Sequence, residues 1–325
     1  MKAIVYTRYG PPDVLRIEDV PAPTPRKDEV LIKVYAASLN PLDFHHMRGH
    51  VRLITGVAGP RRNVLGCDIA GQVEAVGSRV TQLRPGDDVF GVKGLSGGGF
   101  AEYTCAREKR LALKPANISF EEAAAIPIAG VTAFQGLRDK GHIQADQKVL
   151  IDGASGGVGT FAVQIAKFFG ADVTAVCSTK HLETVRSIGA DRVLDYTRED
   201  FTQTAHRYEL VFGANAYRPL ADYRRVLKEN GILVMAGGGA GLRPMLAILL
   251  RSILPTRPKM RFFMAKINRT VLDDMRGLIE TGKVSPVIDR RYPLSEAADA
   301  MRYLEGGHAD GKVVLTVSER ATHGL

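Results

Sequence analysis

The segment Val149-Leu150-Ile151-Asp152-Gly153-Ala154-Ser155-Gly156-Gly157-Val158-Gly159 puts small residues where an apolar run gives way to helical spacing. Such a turn between a strand and a helix suits a diphosphate. Glycines let the backbone approach closely, and the helix N-terminus offers free N–H groups and the positive end of its dipole. Ala154 stands where the G-x-G-x-x-G pattern has its first glycine, so the candidate nucleotide contacts are Ala154, Ser155, Gly156, Gly157, Val158 and Gly159. The same turn can be purely structural; its place inside a βαβ unit points to a nucleotide. About 20 residues further on, NAD sites carry a carboxylate for the ribose 2′-hydroxyl. Here Cys177 is followed by Ser178, Thr179 and Lys180, two hydroxyls and an ammonium that could meet a 2′-phosphate, with no carboxylate among them. The expected cofactor is NADP(H); the alternative is a solvent-facing Lys180 and NADH.

The elements that must position these residues are readable from periodicity. Lys148 to Ile151, Asp172 to Cys177, Arg192 to Leu194, Leu210 to Phe212 and Ile232 to Met235 read as short apolar strands. Between them, Val158 to Phe169 and Leu182 to Ile188 have helical spacing, the second closed by Gly189. Strands alternating with helices predict a doubly wound parallel sheet. The first 120 residues are instead β-rich, with strand-like runs at Val30 to Tyr35 and Ile69 to Val76 and turn chemistry at Arg84-Pro85-Gly86-Asp87-Asp88. Ser119-Phe120-Glu121-Glu122 has the form of a helix start, interrupted by Pro127. The tail closes with a helix from Ser295 to Glu305 and a strand from Lys312 to Val317.

A chain of 325 residues is too long for one hydrophobic core and predicts two domains. Cys67, Cys105 and Cys177 are far apart, which argues against both a disulfide framework and a four-cysteine zinc site and suggests a reducing compartment. We expect a cytoplasmic protein with no stable membrane insertion, since the longest apolar run, near Met245 to Leu254, is broken by Arg251 and is well under the roughly 20 residues of a span. The net charge of +9 is scattered, apart from Arg257, Lys259, Arg261, Lys266 and Arg269, so no nucleic-acid partner is expected; the excess suits a solvated surface and an anionic cofactor.

In combination these segments resemble the zinc-independent quinone-oxidoreductase branch of the medium-chain dehydrogenase/reductase superfamily. The likeness rests on Val149 to Gly159, on Ala36-Ala37-Ser38-Leu39-Asn40-Pro41-Leu42-Asp43, and on Leu65-Gly66-Cys67-Asp68-Ile69-Ala70-Gly71-Gln72-Val73. Arg84 to Gly91, Gly130-Val131-Thr132-Ala133-Phe134 and Gly311-Lys312-Val313-Val314 agree. The resemblance implies a GroES-like catalytic domain from residues 1–120 and 288–325, a Rossmann NADP(H) domain from 121–287, and an active site in the cleft between them. It also implies that Thr132, Ala214 and Gly237-Gly238 lie near the cofactor and Tyr196 near the 2′-phosphate. Zinc-dependent relatives carry a Cys in the first loop and Gly-His-Glu in the core strand, where this chain has Asn40-Pro41 and Gly66-Cys67-Asp68. Zinc needs three protein ligands plus an open position, which one isolated cysteine cannot supply, so no metal is expected. His45 and His46, as neighbours in an extended segment, would diverge.

Without a Lewis acid, hydride must go to an acceptor that is already electrophilic, a quinone or an α,β-unsaturated carbonyl. Asn40 is the candidate donor to substrate or nicotinamide, or else an Asn bonded within its own loop; Asp43 is the second candidate catalytic residue, either organising that loop or transferring protons. Phe262 and Phe263 either close the nicotinamide cleft or belong to core or interface. Lys312 either approaches the cofactor from the tail or is solvated. The Met245 to Leu250 segment suits a homodimer contact, a pocket wall or a membrane surface. Two other functions compete: a non-catalytic NADPH-binding regulator acting through partners, and an alcohol dehydrogenase or enoyl-thioester reductase of the same superfamily.

Overall fold

The computed structural model describes residues 1–50, 52, 56–57, 59–60, 64–94, 97–214, 218–236, 258–307 and 309–318. In chain order the strands are β1 (Lys2–Val5), β2 (Arg16–Asp19), β3 (Glu29–Ser38), β4 (Asp68–Val76), β5 (Asp88–Val92), β6 (Tyr103–Arg107), β7 (Leu111–Leu113), β8 (Lys148–Asp152), β9 (Asp172–Cys177), β10 (Arg192–Asp195), β11 (Tyr208–Gly213), β12 (Leu227–Ala236), β13 (Lys259–Phe263), β14 (Ile288–Pro293) and β15 (Lys312–Thr316). The helices are α1 (Pro41–Arg48), α2 (Phe120–Ala124), α3 (Pro127–Gln135), α4 (Gly157–Phe168), α5 (Leu182–Ser187), α6 (Leu220–Val226), α7 (Arg269–Glu280) and α8 (Ala297–Glu305).

Two compact units form. One draws on Met1–Ile128, Ile267–Glu280 and Ile288–Leu325, the other on Ala129–Lys266 and Thr281–Val287. The expected division at 120/121 and 287/288 differs from this in two helices. Short α2, capped by Ser119 and Glu122 through reciprocal bonds, packs on β3 and β4. Amphipathic α7 buries Val271, Leu272, Met275, Leu278 and Ile279 and packs on β7. Each helix therefore joins the first unit, whose strands accept its apolar face.

The first unit holds a seven-stranded sheet in the order β14-β15-β3-β4-β5-β7, with β6 also paired to β3, and a two-stranded ribbon β1-β2. Val30, Ile32, Val34, Ile69, Val73 and Val89 form one buried layer of it. The second unit holds a six-stranded sheet in the order β10-β9-β8-β11-β12-β13, parallel throughout. Counted from β8, that order is 3-2-1-4-5-6, the doubly wound arrangement in which the chain reverses direction between the first and fourth strands. Leu150, Val211 and Leu233 from its three central strands share a core with Tyr223 of α6. Strands flanked by helices on both faces are buried on both, which is why they read as continuous apolar runs.

Candidate functional site

In the parallel unit, β8 ends at Asp152 and the chain turns through Gly153 into α4. Gly153 has φ +79°, a left-handed value that favours glycine. The turn is pinned by Ala154 N–H donating to Val176 O at 3.0 Å and Gly156 N–H to Gly153 O at 3.3 Å. Gly156 is the N-cap of α4 and brings no side chain to its first turn, which also contains no acidic residue. The opening N–H groups of the helix are therefore left for a ligand. The two critical glycines differ. A Cβ on Gly159 would lie 2.0 Å from Gly153 O and 2.7 Å from Ala154, so helix-to-turn packing alone requires glycine there. Among the described residues, a Cβ on Gly156 would meet only Gly153 O, at 3.6 Å, an ordinary contact. The fold leaves an open cradle at Gly156 that a side chain would fill.

The base of this turn is braced. Tyr223, fully buried on α6, donates its hydroxyl to Asp152 Oδ2 at 2.5 Å. Burial raises the Asp152 carboxyl, offset by that bond and by Arg218. Ala214 N–H donates to Asp152 O at 2.9 Å across the point where β8 and β11 diverge.

Five of the other expected contacts of this unit follow the carboxyl ends of its strands. Ser178, Thr179 and Lys180 follow β9, Tyr196 follows β10 and Ala214 follows β11. Thr179, Lys180 and Tyr196 are exposed, and Ser178 is half-buried. Thr132, on α3, is half-buried. Phe262 packs on the sheet core and Phe263 is buried within β13. Gly237, Gly238 and the Met245 to Leu254 segment fall outside the described residues.

The rim also carries a carboxylate from outside the Ser178-Thr179-Lys180 run. Parallel pairing sets Asp195, the last residue of β10, opposite Cys177. Its carboxylate accepts from the Thr179 hydroxyl, the Thr197 hydroxyl at 2.7 Å and Thr197 N–H at 2.9 Å. The hydrogen bond from Thr179 leads the causes that hold the Asp195 carboxyl below its ordinary range.

Asn40, Asp43 and Lys312 belong to the other unit, and the structure brings them together. Asn40 caps α1, with Pro41 at its first position, and its backbone N–H donates to Asp43 Oδ2 at 2.8 Å. The Asn40 side chain is buried; it donates to Asp68 Oδ2 at 2.9 Å and accepts from Lys312 Nζ at 2.8 Å. Lys312 also donates to Leu39 O at 2.9 Å and stands 3.8 Å from Asp68 Oδ2. Asp68, absent from the expected site residues although the strand containing it was recognised, is the hub: it further accepts from Ser38 Oγ at 3.2 Å and Ile128 N–H at 3.2 Å. Lys312 thus turns its ammonium into the interior of its unit, and Asn40 spends its amide on internal partners.

Burial dominates the electrostatics of this cluster. It raises Asp43 to about 7, against the pull of the Asn40 N–H and with the Asp68 charge adding to the rise. It raises Asp68 to about 6, opposed mainly by Lys312. It lowers the Lys312 ammonium, which the two carboxylates partly restore. The Cys67 thiol is pushed well up by burial and by Asp43 and Asp68.

Two family models match this chain, the alcohol dehydrogenase GroES-like domain over residues 26–116 and the zinc-binding dehydrogenase over residues 188–315. The 2-methylene-furan-3-one reductase of Solanum lycopersicum is 40% identical over 97% of this chain and 79% of that protein. The chain belongs to the medium-chain dehydrogenase/reductase superfamily, in its quinone-oxidoreductase-like branch. The NADPH-dependent alkenal/one oxidoreductase, chloroplastic, of Arabidopsis thaliana is 41% identical with the same coverage. The solved quinone oxidoreductase of Coxiella burnetii superposes with a TM-score of 0.88 at 31% identity, over 98% of this chain and 99% of that one.

The zinc in one model's description can be tested on the residues of this dehydrogenase/reductase. The three cysteines all lie outside the stretch which that model matches. At the positions of the zinc ligands, Asn40 and Asp68 hold the Lys312 ammonium, and Cys67 is kept as a thiol rather than the thiolate that a metal needs. The donor set does not fit a zinc ion. The segment bearing His45 and His46 is helix α1 rather than extended, so the two side chains point about 100° apart. His46 is buried, and His45 Nδ1 lies 2.9 Å from His50 Nδ1. Among the described residues no group of three or more His, Cys, Asp or Glu converges to hold a metal, and no helix is long and apolar enough to cross a membrane.

Proposed function

We propose that this chain is an NADPH-dependent oxidoreductase that reduces quinones or α,β-unsaturated carbonyls. The observation that carries the reading is the cradle at Gly156: a helix N-terminus with uncapped N–H groups, at the point where strand order reverses, beside a glycine the fold does not itself require. A diphosphate fits that cradle, held by the N–H groups of Gly157, Val158 and Gly159. A reduced nicotinamide, when bound, supplies a hydride.

The chain's own residues hold the turn and set the conditions for the acceptor. Tyr223 and Asp152 fix the strand end from which the turn departs. Lys180 and Tyr196, exposed on the rim, supply donors for a 2′-phosphate. In the other unit Lys312, Asn40 and Asp68 act as positioning residues: they lock the end of β3 to the start of β15 and hold the Asn40 loop in one geometry. Because Asn40 and Asp68 are engaged with the Lys312 ammonium and their donor set does not fit a zinc ion, the substrate must bring its own electrophilicity. Quinones and enones meet that condition, and simple alcohols do not. The names of the two plant relatives, a furanone reductase and an alkenal/one oxidoreductase, support the same substrate class.

Oxidation of NADPH by purified protein with 9,10-phenanthrenequinone and with a 2-alkenal tests the proposal. Turnover with either, unchanged by a chelator, is the expected result. Tight nucleotide binding without turnover across such a panel would overturn it and favour a non-catalytic role.

A further inference from the structure

The rim formed by Thr179, Asp195 and Thr197 carries more chemistry than the proposed function uses. A carboxylate only accepts hydrogen bonds, and a threonine hydroxyl has one hydrogen to give. The hydroxyls of Thr179 and Thr197 both reach Asp195, and their oxygens lie 2.9 Å from one another, where either can donate to the other. In each arrangement the two hydroxyl hydrogens stay inside the cluster, on the carboxylate or on the neighbouring hydroxyl. The cluster therefore presents one full negative charge and two acceptor oxygens. It sits where a doubly wound sheet receives the adenosine ribose, at the ends of the second and third strands, β9 and β10.

A ribose 2′-hydroxyl is a donor and matches such a surface. A 2′-phosphate carries negative charge and needs donors, which the two threonines have already spent. The opposing features on the same rim are the Lys180 ammonium, the Tyr196 hydroxyl and the Arg198 guanidinium, whose charge reaches Asp195, all on exposed side chains. We propose that Asp195 is the specificity-determining residue for the nucleotide: its carboxylate keeps the 2′-hydroxyl of NADH acceptable beside Lys180, so that the enzyme uses both NADH and NADPH. The inference rests on the reading that the Gly156 turn binds a dinucleotide. It reassigns the choice between the two nucleotides from the Ser178-Thr179-Lys180 run alone to a residue on the next strand.

The test is the ratio of kcat/KM for NADPH to that for NADH, measured with 9,10-phenanthrenequinone for wild type and Asp195→Asn. The substitution removes the charge and gives the side chain an N–H₂ that can donate to Thr179, which frees that hydroxyl's hydrogen. The expected result is a wild-type ratio within about a hundredfold of unity and a rise of at least tenfold in Asp195→Asn, carried by a lower KM for NADPH and a higher KM for NADH. A purely structural role would move both nucleotides by the same factor, and a ratio unchanged within twofold overturns the proposal. Should Asp195→Asn fail to fold, the wild-type ratio decides: discrimination against NADH beyond a thousandfold overturns the proposal while leaving the NADPH reading intact. Uptake of neither nucleotide by wild type in a calorimeter would instead remove the binding turn itself, and this inference with it.

Discussion

Replacing Asp43 by Asn should stabilise the protein at alkaline pH and leave it nearly unchanged in acid. Asp43 is fully buried, with Oδ2 bonded to the Asn40 N–H and the Cys67 thiol as the other polar group against its carboxyl. In the folded chain it holds its proton to about 7, whereas its ordinary value is 3.8. Between those pH values the unfolded chain has released a proton that the folded chain keeps, so stability falls as pH rises and the loss is complete above about 7. At about 1.4 kcal/mol per pH unit, the full window amounts to roughly 4 kcal/mol, with nearly 3 kcal/mol of it between pH 5 and pH 8. Asn is close in shape and neutral throughout, and its Oδ1 can still accept the Asn40 N–H. The Asp68 charge contributes to the rise of Asp43, so relief of that repulsion is part of the difference between wild type and variant. The assay is urea unfolding followed by circular dichroism, as the chain contains no tryptophan. The stability of Asp43→Asn relative to wild type should grow by roughly 3 kcal/mol from pH 5 to pH 8. Parallel pH profiles, differing by a constant within about 1 kcal/mol, would refute the claim that a buried carboxyl governs this region.

Other perturbations separate structural from binding roles. Gly156→Ala should leave the melting temperature within about 2 °C of wild type, since the added methyl meets only an ordinary contact, yet weaken nucleotide binding at least tenfold in a calorimeter. Gly159→Ala should lower the melting temperature by several degrees, because its Cβ would collide with the backbone of Gly153 and Ala154; equal behaviour of the two variants would contradict the distinction. Lys312→Met leaves Asp68 buried without its cation and should cost about 3–5 kcal/mol at pH 8, less at pH 5 where Asp68 becomes protonated; an equal loss at both pH values in urea unfolding would count against the ion pair. Tyr223→Phe removes the hydroxyl from Asp152 and should cost about 1–3 kcal/mol by the same measurement; an unchanged midpoint would show that the brace below the turn is unimportant.

Sequence alone determined the local elements and the binding turn of this chain. The apolar runs at Lys148 to Ile151 and Asp172 to Cys177, the helical spacing after Val158 and the small residues between them encode a βαβ unit through short-range periodicity. Amphipathic α7 and strand β14 lacked a comparably read signal, and the partition of α2 and α7 into the first unit depends on which sheet accepts their apolar faces. The electrostatics were decided only by tertiary structure. Asn40 and Lys312 meet across 272 residues of chain, and Thr179 meets Asp195 across 16 because two parallel strands are neighbours. A side chain's type is local, but its desolvation and its partners are set by whatever the fold packs against it. That is why Asn40 reads either as a donor to substrate or as a loop-bonded amide, and Lys312 as a free cation, until the sheet joins them through Asp68. It is also why the run beyond β9 reads as free of carboxylates until β10 places Asp195 beside it.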